Sequence, residues 1–397
     1  MARRIYLDHS ATTPLRSEVL EAMLPYFAEL AGNPSSLHWD GQQAKRALDE
    51  ARATVAEALG ASPSEIILNG GGTEGDNHAL FGVAAKLKER GRHIITTAIE
   101  HHAVLNACRW LETQGYSVTY LPVDGDGVVD LDALRRSLRP DTVLVSVMLA
   151  NNEIGTVEPL AEVVRLAHER NVLVHTDAVQ AIGKMPVRVD ELGVDLLTLT
   201  AHKFYGPKGT GALYVRRGTP LAPLMYGGHQ EHGLRPGTQN IPGVVGLATA
   251  LKLATAELPA EAARLAALRD RLQAGIRAHI PRVRFNGHPS VRLPNILNVS
   301  FADVDGESLL MALDVKGIAV STGSACASGA AEPSHVLAAL KLESDYIQGS
   351  LRFSLGHVTT VEDIDYTTRT LVEIVRRLRD LAPAGVCASG SQHGTDA

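Results

Sequence analysis

The chain has 397 residues, of which 45% are hydrophobic and 21% charged, and it carries a formal net charge of −6. That is ordinary globular composition, enough for about two domains with a large core. The acidic balance and the lack of a dense Lys/Arg block argue against nucleic acid as the main ligand.

At the N-terminus, Met1 to Tyr6 leads into patterned sequence without an apolar signal core, and no apolar run reaches membrane-spanning length, so the cytoplasm is the expected location. Residues 15–30 read as an amphipathic helix, and residues 41–59 as a second, Ala-rich one. A repeated grammar comes next: a short apolar run, a polar or Gly-rich junction, then a helical stretch. Ile66-Ile67-Leu68 precedes Gly70-Gly71-Gly72, and residues 93–97 precede Glu100-His101. Residues 143–147 precede Asn151-Asn152, residues 172–175 precede Asp177, and residues 196–200 precede His202-Lys203. This alternation predicts an α/β domain with a mostly parallel sheet. Residues 259–277 read as a helical connector. Beyond it, strands over 296–301, 318–321 and 350–354, with helices over 334–340 and 361–381, predict a smaller α+β domain. The expected division is an N-terminal segment, 1–14, packing near the small domain; a large domain, 15–257; a small domain, 258–382; and a Gly/Ala/Ser-rich tail, 383–397, expected to be disordered.

The chemically unusual residues fall just past the ends of the predicted strands, where open parallel sheets bind ligands. Thr73, His101, Asn152, Asp177, His202 and Lys203 are therefore expected to converge on one cleft. The Gly70-Gly71-Gly72-Thr73 turn opens a helix and suits a phosphate, although taken alone it reads more simply as a plain strand-to-helix turn with Thr73 as N-cap. It is not a Walker motif, because no Gly-Lys-Ser/Thr follows. Asp177, in a buried setting, needs a cationic partner or several donors; a protonated pyridine nitrogen would serve, and an ion pair with an arginine or a helix cap would serve as well. Lys203 closes a buried strand, where desolvation favours a neutral, nucleophilic amine. Lys208, in Gly-Pro-Lys-Gly context, reads as a loop residue.

Three cysteines, Cys108, Cys326 and Cys387, are too few and too odd in number for a disulfide framework. Cys108 reads as core, beside Trp110 and Leu111, and Cys387 as an idle tail residue. Cys326 sits in the small, polar run Ser321 to Gly329, where a nucleophilic thiol can travel. Arg352 begins Arg-Phe-Ser-Leu-Gly; spacing alone favours a structural ion pair over a carboxylate fork. The histidines show no metal-ligand spacing. His101 reads as a cleft residue and His102 as an exposed one.

Tyr6-Leu7-Asp8-His9-Ser10-Ala11-Thr12-Thr13-Pro14, Gly32-Asn33-Pro34-Ser35-Ser36, Asn151-Asn152-Glu153-Ile154-Gly155, the run from His202 to Gly209 and Gly323-Ser324-Ala325-Cys326 together resemble the cysteine desulfurases of the class V aminotransferase superfamily, fold type I, in their NifS/IscS-type branch. The resemblance runs from about Tyr6 to Leu381. It implies a pyridoxal 5'-phosphate (PLP) enzyme whose large domain binds the cofactor. By resemblance, Lys203 is the Schiff-base lysine, Asp177 pairs with the pyridine nitrogen and His101 stacks on the ring and is a candidate acid/base. Asn152 and Gln180 face the ring and its phenolic oxygen, and Gly72, Thr73, Thr200 and His202 hold the phosphate. Thr238 is implied to reach the phosphate of the other subunit of a homodimer, Arg352 to bind the substrate carboxylate and Cys326 to accept sulfur as a persulfide. At Arg352 the resemblance overrides the reading from spacing. The implied sulfur acceptor is an iron–sulfur assembly scaffold or a tRNA-thiolating enzyme. Departures from the family pattern stand at Gly72, Thr200, His229, Pro236 and His357, none of which removes a catalytic group. The competing functions are a selenocysteine lyase or other PLP lyase, a transaminase, a PLP-binding scaffold and a bare phosphate-binding module.

Overall fold

The structure, a computed structural model, describes residues 4–322 and 334–381. Its strands in chain order are β1 (Ile5–Tyr6), β2 (Ile66–Asn69), β3 (His93–Thr97), β4 (Ser117–Leu121), β5 (Thr142–Ser146), β6 (Leu173–Asp177), β7 (Leu196–Thr200), β8 (Gly211–Val215), β9 (Val283–Asn286), β10 (Ile296–Phe301), β11 (Ile318–Ala319) and β12 (Ser350–Ser354). Seven of them form one sheet in the order β2-β8-β7-β6-β5-β3-β4. Pairing is parallel from β7 through to β4; only β8 runs against its neighbours β2 and β7. The strands β2, β3, β5 and β7 are buried along their whole length, as expected where helices cover both faces of a parallel sheet. The mostly parallel α/β sheet predicted from the repeated grammar is therefore present. Strands β4, β8 and β9 lie outside that prediction. Strand β8 comes directly after the Gly-Pro-Lys-Gly turn, and its glycine start hid a buried strand.

The helix at 15–30 is split: it runs over Ser17–Met23 and again over Pro25–Ala28, with Pro25 opening the second piece. The connector is longer than predicted, a single helix over Ile241–His279 capped by the Asn240 side chain. Its first half packs Val244, Leu247 and Leu251 into the core beneath the large sheet. Its second half packs Leu265, Leu268, Leu272 and Ile276 into a second core with Phe301, Leu351 and Phe353. By length and composition this helix could cross a membrane, contrary to the expectation that no run could. Its buried face is committed to two protein cores instead.

The second core is built on a three-stranded antiparallel sheet, β12-β10-β9, covered by the helices Gly306–Val315 and Val361–Leu381. Strand β1 pairs in parallel with β11, so Ile5 and Leu7 belong to this second core and the residues after them are led toward the large sheet. The stretch containing Cys326 and the tail containing Cys387 lie outside the described residues.

Candidate active site

The carboxyl ends of β2, β3, β5, β6 and β7 open onto one cavity of about 330 Å³. Its lining includes Gly72, Thr73, His101, Asn152, Asp177, Gln180, Thr200, His202, Lys203 and Arg352. Among the described residues, every one expected at the cofactor and substrate site is thus gathered here except Thr238, which is exposed elsewhere on the chain; Cys326 lies outside the described residues. A volume of this size is ordinary for a small-molecule site.

Each side chain arrives for a local reason. The 16-residue helix Gly72–Leu87 starts at the end of β2, and its N-cap Gly71 has φ +138°, a conformation L side chains rarely adopt. A Cβ on Gly72 would come within 3.0 Å of Val179, so the first turn is kept bare where an anion can meet its free N–H groups. Thr200 ends β7 and donates its hydroxyl hydrogen to the Thr210 carbonyl (3.1 Å), leaving the oxygen free to accept. His202 and Lys203 come next in a short 3-10 turn, and Tyr205, at φ +69°, carries the strain of reversing the chain there.

The Lys203 Nζ donates to the carbonyls of Ser10 (2.5 Å) and Ala11 (2.8 Å), so the N-terminal segment holds the amine over the cavity. Gln180 donates to the same Ser10 carbonyl (3.0 Å). Burial alone does not mark Lys203. Lys184 is more deeply buried, with its amine pushed down to about 8 by desolvation, yet it lies against the Tyr205 ring outside the cavity. Lys208 is exposed, as predicted for a loop residue.

Asp177 ends the central strand β6. Its Oδ1 accepts from the Val179 N–H (2.8 Å). Burial pushes its carboxyl up, while that N–H and the Lys203 charge pull the other way. Asp76, which sequence reasoning missed, also lines the cavity and is raised well above the usual range, by burial first and the Asp177 charge next. Its Oδ1 is buried without a hydrogen-bond partner among the described residues. The only signal for it was an acid one helical turn past Thr73, on the same face. A cation placed between these carboxyls relieves a cost that the protein alone leaves standing.

His101 caps the helix His102–Thr113: its Nδ1 accepts from the Ala103 N–H (3.1 Å). The neutral ring therefore carries its proton on Nε2. Burial, and then the Lys203 charge, hold it down to about 4, so it is uncharged at neutral pH. His202 is likewise held down to about 4 by burial and Lys203, and its Nδ1 faces the Thr12 hydroxyl at 3.1 Å. His102 is half-buried rather than exposed, because its ring stacks 4.8 Å from that of His335. Cys108 is core, as predicted, and burial pushes its thiol up to about 12. No group of three metal-binding side chains occurs among the described residues.

Arg352, on β12, enters from the small core. Its Nη2 donates to Asp8 (2.8 Å) and its Nη1 to the Asn152 carbonyl (3.1 Å). The ion pair expected from spacing is present, to Asp8, and the residue also lines the cavity.

A tethering amine, a buried carboxylate, a neutral imidazole and a bare helix N-terminus around one cavity are the donor set that PLP requires. The comparisons agree. The class-V aminotransferase family matches residues 5–367. A cysteine desulfurase IscS of Dictyoglomus turgidum is 52% identical over 96% of this chain and 97% of its own length. One of Methanosarcina thermophila is 52% identical over 96% and 94%. Among solved structures, a NifS-like protein superposes with a TM-score of 0.89 at 42% identity, covering 94% of this chain and 100% of its own. A structure described as SspA in complex with cysteine gives 0.80 at 37%, covering 88% and 98%.

The chain belongs to the class-V aminotransferase family, whose members of this fold are PLP enzymes. Within it, the chain falls in the cysteine desulfurase branch, of the NifS/IscS type, and its cofactor is pyridoxal 5'-phosphate.

Proposed function

We propose that this cavity removes sulfur from L-cysteine, leaving L-alanine, and that Cys326 carries the sulfur away as a persulfide. The observation that supports this most strongly is the convergence of Lys203, Asp177, His101 and Arg352 on one 330 Å³ cavity from separate strands. In this reading Lys203 would tether the cofactor, Asp177 would pair with its ring nitrogen, and His101, Asn152 and Gln180 would hold its ring. Gly72, Thr73, Thr200 and His202 hold its phosphate. The bound cofactor supplies an electron sink conjugated with the substrate Cα.

The chain's own groups do the rest. Arg352 forks onto the substrate carboxylate and turns the Cα–H toward Lys203, whose amine takes that proton. His101, with its proton on Nε2, serves in this reading as a hydrogen-bond and proton donor to the same atoms. The Cys326 thiolate attacks the substrate sulfur. A sulfur–sulfur bond forms, the carbon–sulfur bond breaks, and its electron pair stays with the carbon that becomes the alanine methyl after protonation.

The active unit in this reading is a homodimer in which Thr238 reaches the phosphate site of the other subunit. Its support is that Thr238 is exposed and does not line its own cavity, and that Leu37 (93%), Tyr226 (89%), Trp39 and Phe27 are large apolar side chains left exposed on the single chain. The acceptor is an iron–sulfur assembly scaffold, in keeping with the IscS relatives, or a tRNA-thiolating enzyme, and the setting is the cytoplasm. Incubation with L-cysteine followed by intact mass is expected to show a gain of one sulfur atom on the Cys326 peptide. Cys326→Ala should keep the cofactor absorbance and lose sulfide release; undiminished release would overturn the role given to Cys326.

A further inference from the structure

We propose that Asp8 is the resting counter-ion of Arg352 and competes with the substrate carboxylate for the guanidinium, so that it sets how tightly substrate and product are held. This rests on the reading of Arg352 as the carboxylate ligand. The Arg352 side chain is only 3% exposed, so an unpaired guanidinium there would be costly. Asp8, whose side chain is 19% exposed, supplies the charge, with Oδ1 2.8 Å from Nη2.

Asp8 is not a loose end that swings in. Its backbone bridges Ser354, two residues along β12 from Arg352. The flanking bonds fix it: Leu7 N–H to the Ala319 carbonyl (2.9 Å), His9 N–H to the Ser354 carbonyl (3.1 Å) and Ser354 N–H to the Leu7 carbonyl (2.8 Å). Ser10 and Ala11, just beyond, line the cavity. The backbone pairing on either side of it therefore holds the acid beside the arginine.

A guanidinium has five N–H donors. Asp8 and the Asn152 carbonyl take one each. The buried Nε has no hydrogen-bond partner among the described residues. An incoming carboxylate can bond the remaining donors, but it does so beside a fixed negative charge, and like charges at this range oppose each other. Asp8 thus lowers the affinity for every ligand carrying an α-carboxylate. L-alanine, the product, carries the same carboxylate as L-cysteine, so the device also favours product departure.

The test uses the full-length holoenzyme. L-alanine and ethylamine, which is alanine stripped of its carboxylate, are titrated against the cofactor absorbance in wild type, Asp8→Asn and Asp8→Ser. Asn keeps the shape and the acceptor at Oδ1, and Ser is the second variant should Asn disturb the strand. The expected result is that alanine binds roughly three- to tenfold more tightly in both variants, while ethylamine is unaffected. The KM for L-cysteine falls in parallel. An unchanged or reduced alanine-to-ethylamine ratio overturns the competition. Arg352→Gln separates this from the underlying reading: if that change leaves the ratio intact, Arg352 is not the carboxylate ligand, whatever Asp8 does. If it collapses the ratio and the Asp8 variants do nothing, only the role of Asp8 fails.

Discussion

The two sides of the cavity are built by different rules. The sheet side takes its residues from strand ends, each within a few residues of a buried apolar run: Thr73 after β2, His101 after β3, Asn152 after β5, Asp177 at the end of β6, Lys203 after β7. The small-core side is made by a contact between residues 344 apart in sequence, Asp8 and Arg352, with the Ser10 and Ala11 carbonyls turned to the Lys203 amine from 192 or more residues away. On the first side the chemistry is local to the element that carries it. On the second, it exists only once the N-terminal strand has paired with β11 and reached β12.

The largest effect expected from breaking this arrangement lies at Lys203. In the proposed reading Lys203→Ala removes both the tether and the base for the Cα proton, and alanine formation from L-cysteine should fall by at least about 10²- to 10⁴-fold. Lys184→Ala, beyond the cavity wall, should fall far less; comparable losses in the two variants would mean that the buried Lys184 has been wrongly set aside.

Asp177→Asn comes next. The amide keeps the size of the side chain and can still accept the Val179 N–H, but it no longer answers a cation at the ring nitrogen. Removing one member of a buried charge pair costs about 3 to 5 kcal/mol, so cofactor affinity measured by dialysis and reconstitution should drop by roughly 10²- to 10³-fold. Unaltered retention of the cofactor would show that Asp177 serves Asp76 and the helix N-terminus rather than the ring.

Much of the sheet side was legible in the sequence because buried parallel strands announce themselves as short apolar runs, and the residues just past their carboxyl ends are aimed at the ligand. The final strand and helix, 350–354 and 361–381, were legible for the same reason of clear pattern. Asp76 was missed because an acid inside a helix is ordinarily solvent-facing; here its burial comes from the sheet the helix covers. Asp8 was visible only as part of a motif, and spacing could not supply its partner. At Arg352 the residues by themselves favoured an ion pair and the family resemblance favoured a ligand. The structure shows the ion pair, to Asp8, and a buried guanidinium needs such a counter-charge whether or not it also meets a ligand. Strand β8 was lost to its glycine-rich approach, and the extent of the 241–279 helix to the proline at 259, which the helix accommodates.

The smallest effect concerns a carboxyl just behind the sheet-side rim. Glu100, fully buried beside His101, accepts the Thr97 hydroxyl (2.7 Å) and the Met148 N–H (2.9 Å) on Oε1, while its Oε2 is without a hydrogen-bond partner among the described residues. Burial pushes this carboxyl up to about 8. The folded chain thus holds a proton that the unfolded chain releases near 4.5, and the stability this confers is lost as pH rises through the window up to about 8. The neighbouring His101, held down to about 4, works in the opposite sense, but only as pH falls from 6.5 toward 4. Between pH 6.5 and 8 the carboxyl acts without that opposition. Glu100→Gln keeps the acceptor on Oε1 and cannot titrate, so its thermal midpoint should fall less than that of the wild type across this interval, by about 2 °C. Glu158, also pushed up to about 8 by burial, remains in the variant, so the slope should shrink and not vanish. Equal slopes would mean that Glu100 is already ionised at neutral pH, and the sheet side would then carry one more negative charge behind His101 than its burial allows.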